Sequence, residues 1–305
     1  MLSRSVRSLA GAILLALTTP SACAGSGQAQ SQKLADWPQL LDQKKVDEAR
    51  KLCNSFINSS RLSEQVEAQK CLANAALCGG EVLRLEGADT TGLTLGSGYT
   101  PEAADEALTH LNIALKLAPQ DLSIHQGRLH VLEASGRFSE MIEAVDKSAE
   151  IYKGADALEA WLAYAPELDG LHQYKAALAF MQVLDKHYPG QPDVLANIGA
   201  FLDALNRESE AIPYLERAVK LAPKDPVNAW DLAGAYNRSN QIELADTWYK
   251  KGLSLMTDEQ QIAQSNCFYA EFIDKKLHDP KRACLLEKKN CAAAERPACK
   301  APEAR

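Results

Sequence analysis

The sequence predicts an all-α fold, a right-handed superhelical solenoid of stacked antiparallel helix pairs. Three observations predict it. First, one pattern of apolar and small residues returns every 34 residues. Leu195, Ile198, Gly199, Leu202, Ala211, Leu215, Ala218 and Pro223 form one copy. Ala229, Leu232, Ala233, Tyr236, Ala245, Tyr249 and Gly252 follow it, and Trp161, Tyr164, Ala165, Leu168, Ala177, Met181, Leu184 and Pro189 precede it. A fixed period in this range belongs to arrays of helix pairs that bury their apolar faces against their neighbours. Second, small residues fall where two helices must approach closely: Gly199 on the first helix, Ala211 and Ala218 on the second, which Pro223 ends. Third, the pattern changes after Leu255, where the end of an array needs a polar cap over its apolar face.

Residues 1–24 read as an export signal. Arg4 and Arg7 make a basic start, and Leu9 to Thr18 an apolar core shorter than the ~20 residues a membrane helix takes. Two processing readings stay open. Ala22-Cys23-Ala24 is a small-x-small site that would release a soluble chain from Gly25. Ser21-Ala22-Cys23 instead resembles the end of a bacterial lipoprotein signal, with Cys23 lipidated, although Pro20 departs from the usual Leu. Residues 25–36 read as a flexible tether, opening with Gly-Ser-Gly-Gln-Ala-Gln-Ser-Gln.

Residues 37–64 form an N-terminal helical cap, with Ala49 at the small position of a single helix or pair over Leu40 to Ile57. The repeats occupy residues 65–257. Their first helix is expected over Gln65 to Leu85, and its partner carries Ala107, Leu111, Ala114 and Pro119. A loop insert at 87–100 separates the two and ends in Thr100-Pro101-Glu102, a helix start with Thr as cap and Pro in the first turn. The next copy, Asp121 to Lys153, carries Leu132, Gly136, Met141 and Val145. In the copy after it, Pro166 stands inside the first helix and is expected to kink or shorten it. Residues 258–290 read as capping helices, Glu259 to Lys275 and Lys281 to Asn290, and residues 291–305 as a cysteine-containing tail.

The constellation resembles the tetratricopeptide repeat over about Gln65 to Leu255, strongly over the last three copies and best over about Pro192 to Asp225. The copy from Pro226 departs from it. Thr257 replaces the final Pro, and Trp230 and Gly234 suit a register one residue later. In that family the first helix of each repeat lines a concave groove that binds a partner. The resemblance places Lys70, Asn74, Gln126, His130, Asn197, Trp230, Asn237 and Arg238 on this groove; in the later register Trp230 is core. The subgroup that clamps a partner's C-terminal carboxylate is not matched, because Gly127, Glu159 and Ala163 stand where its cations and amides belong.

Chemistry is sparse. Lys and Arg total 33 against 40 Asp and Glu, a net charge of −7 with no long basic run, which disfavours nucleic acid. The six histidines form no His-x-x-x-His pair with a glutamate base, and no Cys-x-x-Cys occurs. No catalytic constellation, metal site or cofactor is therefore expected, and Glu208 and Glu210 suit a helix start.

Setting Cys23 aside leaves seven cysteines gathered at the two ends of the array, as stapling in an oxidising compartment would place them. A turn near Ser59 to Leu62 would pair Cys53 with Cys71. A turn near His278 to Pro280 would pair Cys267 with Cys284 and leave Cys291 and Cys299 to close the tail. Cys71 and Cys78 lie ~10 Å apart along one helix, beyond disulfide reach. Seven is odd, so Cys78 is left over as a thiol or as half of an intermolecular bond. The expectation is a non-enzymatic scaffold of the bacterial envelope that holds another envelope protein or peptide segment, touching the membrane only through a lipid at Cys23. A disulfide-linked assembly subunit and an enzyme with a cleft near 87–100 are the alternatives.

Overall fold

The computed structural model describes residues 33–79, 82–83, 98–291 and 299. The export signal, Cys23, most of the tether, most of the insert and most of the tail lie outside these residues. The described chain is all-α apart from one two-residue strand pair. It divides into two compact units, Ser5–Ala176 and Ala177–Arg305.

In the N-terminal unit a 3-10 turn, Leu34–Asp36, leads into α1 (Trp37–Asp42) and α2 (Val46–Asn54). Next come α3 (Leu62–Gly79), α4 (Pro101–Leu117), α5 (Leu122–Ala134), α6 (Phe138–Ile151), α7 (Ala155–Leu162) and α8 (Tyr164–Gly170). The core at the N-terminal end gathers Leu34, Trp37, Leu40, Leu41, Ala49, Leu52, Ala68, Leu72 and Ala75. A disulfide joins Cys53 of α2 to Cys71 of α3 inside this core. Arg50 of α2 grips the Glu106 carboxylate of α4 with both terminal nitrogens, a fork geometry that fixes orientation as well as charge.

The helix expected to reach Leu85 stops at Gly79, where the Gly79-Gly80 pair removes helix propensity. The chain then runs extended through β1 (Val82–Leu83), which pairs antiparallel with β2 (Gly98–Tyr99). The crossing from α3 to α4 is thus longer than the 87–100 insert. The Thr100 hydroxyl accepts from the Ala103 amide and Pro101 opens α4. Pro166 breaks its helix outright. It cannot donate to the Leu162 carbonyl, and the chain divides at Ala163 into α7 and α8, so that Pro166 falls in the first turn of α8, where no donor is needed.

The C-terminal unit holds most of α9 (Tyr174–His187), then α10 (Pro192–Ala204), α11 (Glu208–Leu221), α12 (Pro226–Arg238), α13 (Ile242–Leu255), α14 (Glu259–Leu277) and α15 (Pro280–Asn290). Gly199 lies so close to Leu215 that an added Cβ would stand 2.4 Å from its Cγ. Tyr249 of α13 is the hub of an aromatic cluster, with Trp230 at 4.7 Å, Phe272 at 5.0 Å and Phe268 and Tyr269 just beyond.

The C-terminal disulfides differ from those drawn from the sequence. Cys267 is bonded to Cys291 and Cys284 to Cys299, in place of Cys267–Cys284 and Cys291–Cys299. The reason is level along the hairpin. With the turn at His278 and Asp279, Cys267 sits mid-way along α14, opposite the far end of α15, whereas Cys284 sits near the turn. Cys78 belongs to none of the three disulfides.

One turn recurs. Lys44, Gly136, His172, Asn206, Asn240 and His278 each follow the first helix of a pair with φ between 54° and 70°. At all six the next amide reaches back to the helix: Lys45 to Leu40 at 2.8 Å, Arg137 to Leu132 at 2.7 Å, Gln173 to Leu168 at 3.0 Å, Arg207 to Leu202 at 2.9 Å, Gln241 to Tyr236 at 2.8 Å and, one residue further back, Asp279 to Ile273 at 3.3 Å. This left-handed cap satisfies a terminal carbonyl and reverses the chain within two residues at His278 and three at the other five.

Candidate partner-binding face

The first helices of the pairs share one burial pattern. Ile124, His125, Gln126, Leu129, Val131 and Leu132 of α5 are buried in the same sequence spacing as Val194, Leu195, Ala196, Gly199, Phe201 and Leu202 of α10. In α12 the matching set is Asn228, Ala229, Trp230, Ala233, Ala235 and Tyr236. This register puts Gln126, Ala196 and Trp230 at one equivalent position, and it is a buried one. Trp230 is 7% exposed and packs on Tyr249 and Phe268. The expected groove anchor is therefore core, because its side chain fills the interface between α12 and its neighbours. Gln126 is likewise buried, and so is Asn74, whose amide donates to the Lys70 carbonyl one turn back.

What is left on the surface of these helices is a narrower face. In α5 it carries His130 and Glu133, in α10 Asn197, Ala200 and Asp203, and in α12 Asn237 and Arg238, whose side chain lies over the buried Gly234. Within the C-terminal unit, Arg238 holds both carboxylate oxygens of Asp203 across α12 and α10, Nε to Oδ1 at 2.5 Å. Burial pushes the Asp203 carboxyl up, outweighing the opposite pull of Arg238. Asn197 is half-exposed. The buried Asn237 Oδ1 accepts no hydrogen bond from the protein. Lys70, in the N-terminal unit, bonds Asp121 Oδ2 at 2.7 Å and Ser123 Oγ at 2.9 Å. It edges an open pocket of about 390 Å³ with Leu62, Val66 and Glu67.

The face of α5 is partly covered. The Tyr99 hydroxyl of β2 shares a hydrogen bond with His130 Nε2 at 3.3 Å, and the two rings meet edge-on, 6.2 Å apart. Beside them the Glu133 side chain is 10% exposed, 4.0 Å from His130 Nδ1. Burial first, then the Glu167 charge, pushes the Glu133 carboxyl up to about 7. Burial pushes His130 down, and burial first, then the neighbouring Cys78 and Glu133, pushes the Tyr99 phenol up to about 12. The Tyr164 hydroxyl, on α8, donates to the Gln126 carbonyl at 2.9 Å. Sequence reasoning missed Asp203, Glu133 and Tyr99. The first two lie at the position of Asn237 in the shared register and could have been found by shifting along it; Tyr99 lies in no repeat.

Glu133 carries a pH prediction. Its folded-state pKa is raised, so the folded protein holds the proton more tightly than the unfolded chain. That stabilisation is fully present below the unfolded carboxyl range near pH 4 and is lost as pH rises to about 7. Glu133→Gln removes the effect. Between pH 5 and 8 the variant should gain about 1 kcal/mol relative to wild type, the full shift being reduced by solvent at the site. Urea unfolding at the two pH values measures it, and identical pH dependence in both proteins would refute the burial of a neutral carboxyl.

Residues 192–225 match the tetratricopeptide repeat family. Over that stretch the chain is similar to a tetratricopeptide repeat. Among solved structures, the C-terminal part of a tetratricopeptide repeat-containing protein from Cytophaga hutchinsonii matches 88% of this chain with 100% of its own, at TM-score 0.55 and 12% identity. That likeness extends the tetratricopeptide fold beyond the single matched repeat. PilF of Pseudomonas aeruginosa matches 63% of this chain with 87% of its own, at TM-score 0.42 and 16% identity. YrrB, described as a tetratricopeptide protein with an unusual peptide-binding site, matches 59% of this chain with 90% of its own, at TM-score 0.43 and 17% identity. No curated protein matches the chain by sequence. Among the described residues no three His, Cys, Asp or Glu side chains are grouped to hold a metal, and no helix is long and apolar enough to cross a membrane.

Proposed function

We propose that this tetratricopeptide protein is an exported interaction scaffold of the bacterial envelope, which holds a segment of another envelope protein against the first helices of its repeats. The observation that carries the reading is the face of α10 and α12. There a small residue, Ala200, lies among polar groups, Asn197, Asp203, Asn237 and Arg238, that stay at least partly exposed, so that a chain lying close to α10 meets hydrogen-bonding partners on either side. Binding is passive: shape, van der Waals contact and a few hydrogen bonds select the segment. Three disulfides support an oxidising compartment, and Cys23 offers a lipid anchor to its membrane.

Photocrosslinking in intact cells tests the reading. A photoreactive residue at Asn197, and separately at Asn237, is expected to capture one and the same envelope protein. A folded, abundant protein that captures nothing at either position would sink it. Cys23→Ala should move the protein from the membrane to the soluble fraction; an unchanged distribution would dismiss the lipid anchor.

A further inference from the structure

We infer that the N-terminal unit takes a cationic side chain of the partner segment, arginine above all, through the Glu133 carboxylate of α5 and the Glu167 carboxylate of α8. The inference rests on the scaffold reading above and names the chemistry that one part of its face selects. Three observations carry it.

The first is a precedent inside the same chain. In the C-terminal unit the acid at this register position, Asp203 of α10, is gripped by Arg238 of the next first helix, α12. Each carboxylate oxygen takes one guanidinium nitrogen, a fork that arginine supplies and lysine does not. Glu133 stands at the position of Asp203. The helix that follows α5 brings no arginine to it. Leu168 of α8 stands where Leu202 stands in α10 and Tyr236 in α12, so two residues further on Gly170 falls at the position of Arg238. Gly170 is exposed, and a Cβ added to it would meet nothing within 4 Å. Where α12 carries the guanidinium stem, α8 leaves open space.

The second is the surroundings of Glu133. Its side chain is only 10% exposed, and a carboxylate so sheltered is costly without a paired charge. Among the described residues the one ion-pair partner in reach is His130, Nδ1 at 4.0 Å, and burial favours the neutral form of that ring. The other groups that face Glu133 are Tyr99 from β2 and Tyr164 and Glu167 from α8, none of them cationic. Burial raises both Asp203 and Glu133, but Arg238 pulls Asp203 back, whereas Glu167 pushes Glu133 further. The third is access. Glu167 is exposed and lies one turn before Gly170 on α8. A cation entering over Gly170 meets Glu167 first and then Glu133, where exclusion of water strengthens the pair. It favours the ionised Glu133, so binding releases a proton and strengthens as pH rises through about 7.

The test has two arms, both in the full chain. In cells, a photoreactive residue at Gly170 is expected to capture the partner seen from Asn197, through a peptide with arginine or lysine beside the attachment point. Glu133→Gln should lower that capture about tenfold. Capture at Gly170 that ignores Glu133→Gln, a captured peptide without a basic residue, or no capture at Gly170 while Asn197 still captures, each overturns the inference and leaves the scaffold reading standing. In the purified protein, NMR of the Glu133 carboxyl carbon follows its titration. The midpoint should fall by about half a pH unit with L-argininamide relative to tetramethylammonium at equal ionic strength, and by about one pH unit in Gly170→Arg, which tethers a guanidinium at the matching position. A midpoint unmoved by L-argininamide overturns the inference, whatever Gly170→Arg does. No capture from Asn197 or Asn237 refutes the scaffold reading, and the NMR arm then still decides whether Glu133 takes a guanidinium.

Discussion

Replacing Cys53 and Cys71 together by alanine should cost about 3 kcal/mol of local stability in the N-terminal unit. The two cysteines are separated by 18 residues, and closing a loop of that size removes about this much from the unfolded chain. The bond is also buried in the packing of Trp37, Leu41 and Leu72, so reduction leaves two thiols in an apolar cluster with no new contact made. Hydrogen exchange reads the effect where it occurs. Protection of the α2 and α3 amides should fall about 100-fold, while that of α12 and α13, in the other unit, stays within twofold. Equal loss in both units would show instead that the chain unfolds as one body, and no loss would show that the α1–α3 core holds without its staple.

Gly199→Ala should destabilise the C-terminal unit by about 2 kcal/mol. Two terms oppose each other. Alanine is better than glycine inside a helix by about 1 kcal/mol. Against that, the new Cβ would lie 2.4 Å from Leu215 Cγ, and relieving such an overlap costs about 3 kcal/mol, because Cγ is the branch point of a buried side chain and not its mobile tip. Gly234→Ala is the control. Its Cβ meets only the end of the Arg238 side chain at 3.1 Å, and a flexible tip can give by the few tenths of an ångström this needs without leaving Asp203, so the change should be within about 1 kcal/mol of neutral. Urea denaturation of both variants measures the contrast. If Gly199→Ala proves as mild as Gly234→Ala, the close packing of α10 on α11 is wrong.

The helix pairs were legible because each carries its own period. Ala211, Leu215 and Ala218 are one turn apart and all face inward, and Pro192 and Pro226 open α10 and α12 where a missing donor does no harm. The same reasoning read the capping helices but not their disulfides. Pairing depends on how far each cysteine lies from the turn along two helices, and a shift of a few residues moves a partner by a full turn. Trp230 was ambiguous because its neighbours fit two registers one residue apart, and only the position of α13 and α14 around it decides between them. Tyr99 was out of reach. It belongs to a segment without period, and its contact with His130 joins residues that no local pattern connects. Asn206 and Asn240 stand 34 residues apart at the same left-handed turn and were readable; Lys44, His172 and His278 do the same work with residues that do not announce it.

That shared turn constrains more than backbone angles. Where a left-handed residue and a back-reaching amide close a helix pair, the junction is short, three residues at five of the pairs and two at α14–α15, and adding or removing a residue within a given pair would rotate its second helix off its packing face by roughly 100°. Among the described pairs, α3 and α4 are joined differently, by a junction that is much longer and carries no such turn among its described residues. A protein built in this way can acquire new sequence without disturbing its register only at such an exempt joint. In this chain that joint brings Tyr99 against His130 of α5.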